Sequence, residues 1–160
     1  MRCLSLTELN SHFSIAQQVI NQFEEVEKVI FVPINKESNK KGLLDNRYRY
    51  NMIKLVADKN QKFEVSDMDF KDEKSSFTIE SLEEMQKQFP DKQIWYIVGT
   101  DNLKILYTWK RAEDLVSKYK ILDNLRRSIF EISILECLVY ISIIKRLTAK
   151  SQWLMAKLLC

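Results

Sequence analysis

Glycine and proline are scarce in this sequence, with two of each among 160 residues. A residue without a side chain lets the backbone approach a bound phosphate closely, so phosphate-cradling loops commonly use glycine. The shortage of glycine therefore counts against an intact loop of that kind. The chain also has no internal repeat and no low-complexity linker, and its length suits a single domain.

Cysteine is scarce as well, and the three cysteines are scattered at Cys3, Cys137 and Cys160. They form no CxxC pair and no spacing typical of metal ligands. We therefore expect neither a disulfide framework nor a structural metal site. Unpaired cysteines fit a reducing compartment, which predicts a cytoplasmic protein.

Neither sign of charge dominates, because 25 basic and 22 acidic residues leave a net charge of +3. This charge is too small to indicate a nucleic-acid partner.

Long apolar runs are missing too. Residues 129–144 include Glu131 and Glu136 and are shorter than the roughly 20 residues that a spanning helix needs. We expect no membrane span, and no signal peptide because Glu8 and His12 interrupt any apolar start.

The sequence does contain a regular alternation of helix and strand patterns. Apolar residues at a spacing of three to four predict helices, and short apolar or alternating runs predict strands. The predicted helices are residues 11–25, 47–58 and 78–88, and the predicted strands are residues 29–34, 63–70 and 94–99. Such alternation is typical of an α/β protein with a parallel sheet covered by helices. Ligands bind these sheets at the carboxyl ends of the strands, which points to residues 34–41 and 99–102.

The turn after the last predicted strand carries Gly99 and Asp101. Gly99 permits a tight turn of the backbone, and Asp101 either accepts hydrogen bonds from sugar hydroxyls or caps the helix that follows. Further along, Trp109 precedes Lys110. Its ring either stacks on an aromatic ligand beside a basic group or packs over the sheet edge.

A longer pattern around these residues resembles the nicotinate-nucleotide adenylyltransferase family, of the HxGH-type nucleotidyltransferase superfamily. That family has a strand ending in (I/V)(I/V)G(A/T)D, a short helix and a TWKR segment, and residues 97–111 here read IVGTDNLKILYTWKR. Its VSD strand and PSYTI(D/E)TL helix start resemble VSDMDF at residues 65–70 and SSFTIESL at residues 75–82. FVP at residues 31–33 and RYNMI at residues 49–53 match its upstream segments.

The resemblance covers roughly residues 10–122 and implies a Rossmann-like parallel sheet with helices on both faces. It implies transfer of AMP from ATP to nicotinate or nicotinamide mononucleotide, with release of pyrophosphate and with Mg²⁺ accompanying ATP. At pyridine-binding positions the matching residues are Thr78 and Trp109. At nucleotide-binding positions they are Gly99, Asp101 and, by a looser match, Lys41 or its neighbour Lys40.

His12 is the only histidine of the chain. The first predicted helix begins beside it, and a helix N-terminus carries partial positive charge that favours anions. The segment HFSIAQQV resembles the HLxIAxxV that follows the second histidine of the family's H-x-G-H signature. The resemblance thus implies that His12 is catalytic and binds a phosphate oxygen. The alternative is a surface histidine at a helix end.

The rest of that signature, G-x-F-D-P-x-H-x-G-H, is absent. Leu9 stands at the first histidine position and Ser11 at the glycine before the second. Leucine cannot donate a hydrogen bond to a phosphate, and losing one charge-stabilising donor typically costs on the order of 10²–10³ in rate. The family's I-S-S-T-x-x-R segment, which binds ATP phosphates, is not found either.

After residue 122 the composition changes abruptly. We interpret residues 1–122 as the nucleotidyltransferase-like domain and residues 123–160 as a divergent apolar helical tail. The tail is apolar on several faces, and such a helix is normally buried or bound to a partner. One hypothesis is that the tail comes from a shifted reading frame. Translating the other frames of the coding DNA tests this hypothesis, which fails if none yields an I-S-S-T-x-x-R-like segment. A genuine divergent pair of helices is the alternative.

Three functions follow from these observations. The first is an adenylyltransferase of NAD synthesis that binds ATP and nicotinate mononucleotide. The second is a catalytically impaired relative that keeps the pyridine side as a nucleotide-binding or interaction domain. The third is a protein that binds a partner, a second copy of itself or a membrane through the apolar tail.

Overall fold

A computed structural model describes residues 6–35, 44–70, 77–125 and 128–132 of the chain. The helices are α1 (Leu6–Gln22), α2 (Asn46–Ala57), α3 (Thr78–Gln88), α4 (Thr100–Lys104) and α5 (Ala112–Lys118). The strands are β1 (Val29–Phe31), β2 (Phe63–Val65), β3 (Trp95–Gly99), β4 (Lys120–Leu125) and β5 (Ser128–Ile132). Short 3-10 helices occupy Met68–Phe70 and Leu106–Thr108. The chain divides into two compact units, Met1–Phe77 and Thr78–Cys160.

The N-terminal unit (Met1–Phe77) contains a parallel pair of strands, β1 and β2, joined by α2. Parallel strands need such a crossover because the chain has to return to the same end of the sheet. Phe13 of α1 and Ile53 of α2 are buried against Phe31 and Phe63 of the strands. The ring centroids of Phe13 and Phe31 are 4.4 Å apart. Burying a side chain of this size contributes about 1.5–3 kcal/mol, so this cluster holds both helices on the strands.

The C-terminal unit (Thr78–Cys160) contains a sheet with β4 in the middle, parallel to β3 and antiparallel to β5. Ile121 and Leu122 of β4 are both fully buried. Because neighbouring residues of a strand point to opposite faces, both faces of β4 are covered. Leu115 of α5 and Ile79 of α3 belong to the same buried cluster as Ile121. Gly99 pairs with Asn124, which places the carboxyl ends of β3 and β4 side by side.

The structure confirms the predicted α/β class, with parallel strands joined through helices. Helix α3 has the predicted bounds. Strand β2 ends at Val65, well before the predicted end at residue 70, because Met68–Phe70 forms a 3-10 helix. The backbone N–H of Met68 donates to the hydroxyl of Ser66 at 3.3 Å, and a serine that binds the backbone two residues on favours a turn over an extended strand.

The predicted helical tail is wrong over its first part. Residues 123–125 continue β4, and β5 follows as its antiparallel neighbour. The apolar spacing near residues 129–139 suggested a helix, but the free edge of β4 offers backbone groups that a strand can satisfy. Residues 133–160 lie outside the described residues, so the division of the chain at residue 122 stays a prediction.

Candidate functional site

Strand β3 ends at Gly99, where the backbone is extended with φ −78° and ψ 148°. Residues other than glycine adopt these angles freely, so this turn does not use the backbone freedom that Gly99 permits. A methyl group in place of the glycine hydrogen would meet no atom within 4 Å. Such open space suits a ligand that approaches the backbone closely. The role of Gly99 in nucleotide binding stays a prediction.

Asp101 lies in the first turn of α4, and its side chain is 99% exposed. The N-cap position of α4 belongs to Gly99, which makes no side-chain capping bond, so the alternative that Asp101 caps the helix is wrong. Its Oδ1 is 3.7 Å from Nζ of Lys104. The carboxylate therefore faces solvent beside Gly99, where a sugar hydroxyl could donate to it.

Asp123 is a buried acid at the same sheet edge, and sequence reasoning missed it. It follows Leu122 in β4 and is only 6% exposed. Its Oδ1 accepts a hydrogen bond of 3.1 Å from the hydroxyl of Thr100, the residue that follows β3. Buried carboxylates need such partners, and this bond ties the start of α4 to the end of β4. An acidic residue directly after the apolar pair Ile121 and Leu122 was the available signal.

Thr78, Tyr96 and Trp109 form one group, named here the aromatic patch. The rings of Tyr96 and Trp109 meet edge to face with centroids 6.3 Å apart. A side-chain hydrogen bond joins Tyr96 to Thr78, the first residue of α3. Trp109 follows a 3-10 helix, and its backbone N–H donates to the carbonyl oxygen of Leu106 at 3.0 Å. The structure thus brings together Thr78 and Trp109. These residues belong to different motifs and were predicted to line one pocket.

Tyr96 is the member of the patch that sequence reasoning missed. It lies on β3 between Trp95 and Ile97, so its side chain points to the opposite face of the sheet from both of theirs. Burial raises the pKa of the Tyr96 hydroxyl, and the hydrogen bond with Thr78 opposes that rise. The hydroxyl therefore keeps its proton at neutral pH and remains a hydrogen-bond donor.

The residues that follow Trp109 form ion pairs with α3. Nζ of Lys110 lies 2.6 Å from Oε1 of Glu80. The guanidinium of Arg111 donates two hydrogen bonds of 2.9 Å to the carboxylate of Glu83. Hydrogen bonds from Arg111 and Lys118 lower the pKa of Glu83 to about 2. The TWKR segment is thus held on the helix that begins with Thr78.

His12 lies within α1, which begins at Leu6, so it occupies the second turn of the helix. The predicted partial positive charge of a helix N-terminus at His12 is therefore wrong, because that charge is confined to the first turn. The side chain is exposed.

Lys41 and Lys40 lie outside the described residues. His12 and Lys41 belong to the N-terminal unit, whereas the other predicted site residues belong to the C-terminal unit: Thr78, Gly99, Asp101 and Trp109.

Arg49 of the RYNMI segment is a buried cation that sequence reasoning did not assign. Its guanidinium donates to the carbonyl oxygens of Ile34 and Leu44, which lie on either side of residues 36–43. It also lies 5.7 Å from the ring centroid of Phe70. Burial lowers the pKa of Arg49, and the charge of Asp45 opposes the shift. Arg49 thereby joins the two chain segments that flank the predicted basic loop.

Among residues with described positions, no three His, Cys, Asp or Glu side chains are close enough to hold a metal ion. Within the same part of the chain, no helix is both long and apolar enough to cross a membrane.

Comparison with known sequences identifies relatives over most of the chain. A sequence model of the cytidylyltransferase-like family matches residues 10–156. A Clostridium tetani protein named as a nicotinate-nucleotide adenylyltransferase is 32% identical over 70% of this chain and 56% of its own length. A Tropheryma whipplei protein of the same name is 34% identical over 68% of this chain and 58% of its own length. The chain thus spans little more than half the length of these relatives.

Solved structures show the same fold. The nicotinic acid mononucleotide adenylyltransferase of Plasmodium falciparum, complexed with NaAD, superposes with a TM-score of 0.62 at 17% identity. That superposition covers 82% of this chain and 64% of the other. The family match, the motifs in their order along the chain and these structural similarities together assign the chain to a protein family. This chain belongs to the cytidylyltransferase-like nucleotidyltransferases and, among them, to the nicotinate-nucleotide adenylyltransferase family.

Proposed function

We propose that the chain binds a pyridine mononucleotide at the aromatic patch and takes part in adenylyl transfer from ATP in NAD synthesis. One observation carries the proposal. Thr78 and Trp109 come from different motifs of the sequence, and both contact Tyr96. An indole and a phenol beside the hydroxyl of Thr78 provide a stacking surface with hydrogen-bonding groups at its rim, which suits a flat ring that carries a carboxylate or amide.

In the proposed reaction, a phosphate oxygen of the mononucleotide attacks the α-phosphorus of ATP, and pyrophosphate leaves. The protein contributes by positioning the two reactants and by stabilising negative charge. Trp109 and Thr78 hold the pyridine ring. Gly99 and Asp101 face the ribose. For His12, in the N-terminal unit, the role of neutralising a phosphate oxygen rests on the family resemblance alone.

Mg²⁺ is proposed to enter with ATP. The described residues do not form a metal cage, since no three acidic, histidine or cysteine side chains converge among them. Mg²⁺ is commonly held by substrate phosphates and water with one or two carboxylates from the protein. No step is assigned to a metal held by this chain alone.

The second candidate is a relative that binds the pyridine mononucleotide without turnover. Leu9 and Ser11 replace two residues of the family's phosphate-binding signature, which favours this candidate. A leucine leaves one phosphate oxygen without its donor. The aromatic patch does not depend on either residue, so binding would persist where catalysis fails.

Calorimetric titration with nicotinate mononucleotide tests the binding shared by both candidates. We expect Trp109→Ala to weaken binding by about tenfold or more, because stacking a ring on an aromatic side chain is worth about 1–3 kcal/mol. Trp95→Ala is the matched control, since Trp95 points to the other face of β3 and contacts Lys120. Equal losses in the two variants would contradict the proposal.

An assay for NAD-type dinucleotide formation with ATP, Mg²⁺ and nicotinate mononucleotide separates the two candidates. Turnover that Trp109→Ala reduces supports the adenylyltransferase. Binding without turnover supports the impaired relative. Absence of both would reject the proposed function.

A further inference from the structure

The turn that presents Trp109 is held on α3 by a connected set of charged groups. Oε1 and Oε2 of Glu83 each accept a hydrogen bond of 2.9 Å from Arg111. Oε1 also accepts one of 3.0 Å from Lys118 of α5. Glu80, one turn earlier on α3, pairs with Lys110 at 2.6 Å. Both residues that directly follow Trp109 are therefore anchored to the same helix.

Arg111 holds that turn through its backbone conformation as well as through its side chain. Its φ of 53° and ψ of 43° place it in the left-handed region, which residues with a Cβ adopt at a cost. Among the described residues it alone has a positive φ without being glycine. Its Nε donates to Asp114 at 2.7 Å, so the side chain is bound on both edges of the guanidinium. A bidentate pair of this kind restricts direction as well as distance.

Trp109 directly precedes this turn, so the turn limits where its indole can lie. The ring is half-buried, meets Tyr96 edge to face and packs against the buried cluster of the C-terminal unit. A ring that has to be ordered when a ligand arrives binds that ligand more weakly than a ring already in place. The residues that hold the turn therefore influence binding without any contact to the ligand.

We propose that the Arg111–Glu83 pair is a positioning device that holds the Trp109 indole in place for a pyridine ring. This inference rests on the proposed function, because it names the residues that prepare the aromatic patch for its ligand. Arg111 and Glu83 are positioning residues. The pair is partly exposed, with side chains 39% and 31% accessible, so its effect on overall stability is expected to be small. The main effect of the pair is expected on ligand binding, through the position of Trp109.

A double-mutant cycle in the full chain tests this coupling, with nicotinate mononucleotide as the ligand in calorimetric titrations. We expect Arg111→Gln to weaken binding by about three- to tenfold, the size of coupling seen between residues in one network. In the Trp109→Ala background the same substitution should change the affinity less than about twofold. Equal losses in the two backgrounds would overturn the proposal.

Two further variants separate positioning from loss of charge or of fold. Glu84→Gln is the matched control, because Glu84 is the neighbour of Glu83 on α3 but pairs with Lys87 at 3.3 Å. It should leave the affinity unchanged. Arg111→Lys keeps the positive charge but cannot form the bidentate pair with Glu83, so it should recover only part of the affinity that Arg111→Gln loses. A loss from Glu84→Gln as large as that from Arg111→Gln would contradict positioning.

A ligand-free measurement keeps the inference distinct from the proposed function. In a Trp95→Phe, Trp153→Phe background, Trp109 is the sole tryptophan, and its fluorescence anisotropy reports the mobility of the indole. Arg111→Gln should increase that mobility, and Glu84→Gln should not. If nicotinate mononucleotide fails to bind, the proposed function falls while this measurement still decides the inference. Unchanged mobility in Arg111→Gln overturns it.

Discussion

At the scale of single residues, the hydroxyl of Tyr96 joins β3 to the start of α3 through Thr78. We expect Tyr96→Phe to lower the free energy of unfolding by about 1 kcal/mol, because it removes one partly buried hydrogen bond and keeps the ring. Urea unfolding measures the change. Tyr48→Phe is the control, since Tyr48 is 66% exposed and should tolerate loss of its hydroxyl. An equal change in both variants would mean that the Thr78 contact contributes nothing.

Residues in the family motif were easier to predict than their partners. Trp109 and Thr78 stand out because they recur in a recognisable pattern with fixed spacing. Tyr96 and Asp123 do not, since their roles come from contacts with residues distant in the chain: Thr78 and Thr100. A sequence states which side chains exist, whereas a hydrogen bond between strands depends on their register.

At the scale of elements, the charged contact of α3 with α5 and the TWKR segment gives a pH-dependent contribution to stability, which is small because the charges are partly exposed. The pKa of Glu83 is lowered from 4.5 to about 2, so its ionised form is favoured in the folded state. The contribution is therefore complete at pH values above the pKa of Glu83 in the unfolded state. It is lost as the pH falls through the pKa of Glu83 in the folded state. We expect the difference in Tm between the parent and Glu83→Gln to shrink between about pH 5 and pH 2. Thermal melts over this range measure it.

Glu84→Gln provides the comparison for that pH series. It makes the same chemical change one position along α3, where the carboxylate pairs with Lys87 at 3.3 Å. Its Tm difference from the parent should change less over the same range, because one lysine contacts the Glu84 carboxylate, whereas an arginine and a lysine contact that of Glu83. A parallel decline in both variants would assign the acid sensitivity to the whole helix instead of Glu83.

Helix α5 is short, and its place in the sheet layer depends on a few buried side chains. Leu115 is fully buried in the core of the C-terminal unit. We expect Leu115→Ala to lower the free energy of unfolding by about 2–5 kcal/mol, because it leaves a cavity that the neighbours only partly fill. Chemical denaturation measures the loss. The exposed Ser117 of the same helix supplies the control Ser117→Ala, with a change of about 0.5 kcal/mol or less.

The bounds of elements were predictable where local signals agreed with packing. Helix α3 was predicted correctly, because its apolar face is regular and Pro90 follows it. Strand β5 was missed because it forms by pairing with β4, and pairing is a property of two segments together. The early end of β2 also escaped prediction, since the Ser66 turn competed with an alternating pattern.

At the scale of the whole molecule, the two substrates of the proposed reaction are expected to behave differently. The aromatic patch is assembled within the C-terminal unit, whereas the phosphate signature around His12 lacks its other donors. We expect nicotinate mononucleotide to bind, and ATP to bind at least about tenfold more weakly, since charged hydrogen bonds each contribute about 1.5–3 kcal/mol. Separate calorimetric titrations with nicotinate mononucleotide and with ATP measure the two affinities. Equal or tighter binding of ATP would contradict it.

The sequence by itself determined the α/β class and the family, and it predicted that Thr78 and Trp109 line one pocket, because these follow from periodicity and from motifs that keep their spacing along the chain. Tertiary structure alone decided that Tyr96 joins them and that Arg111 and Glu83 anchor the turn. Each of these depends on the distance between segments that are remote in sequence. Strand register and helix packing set that distance.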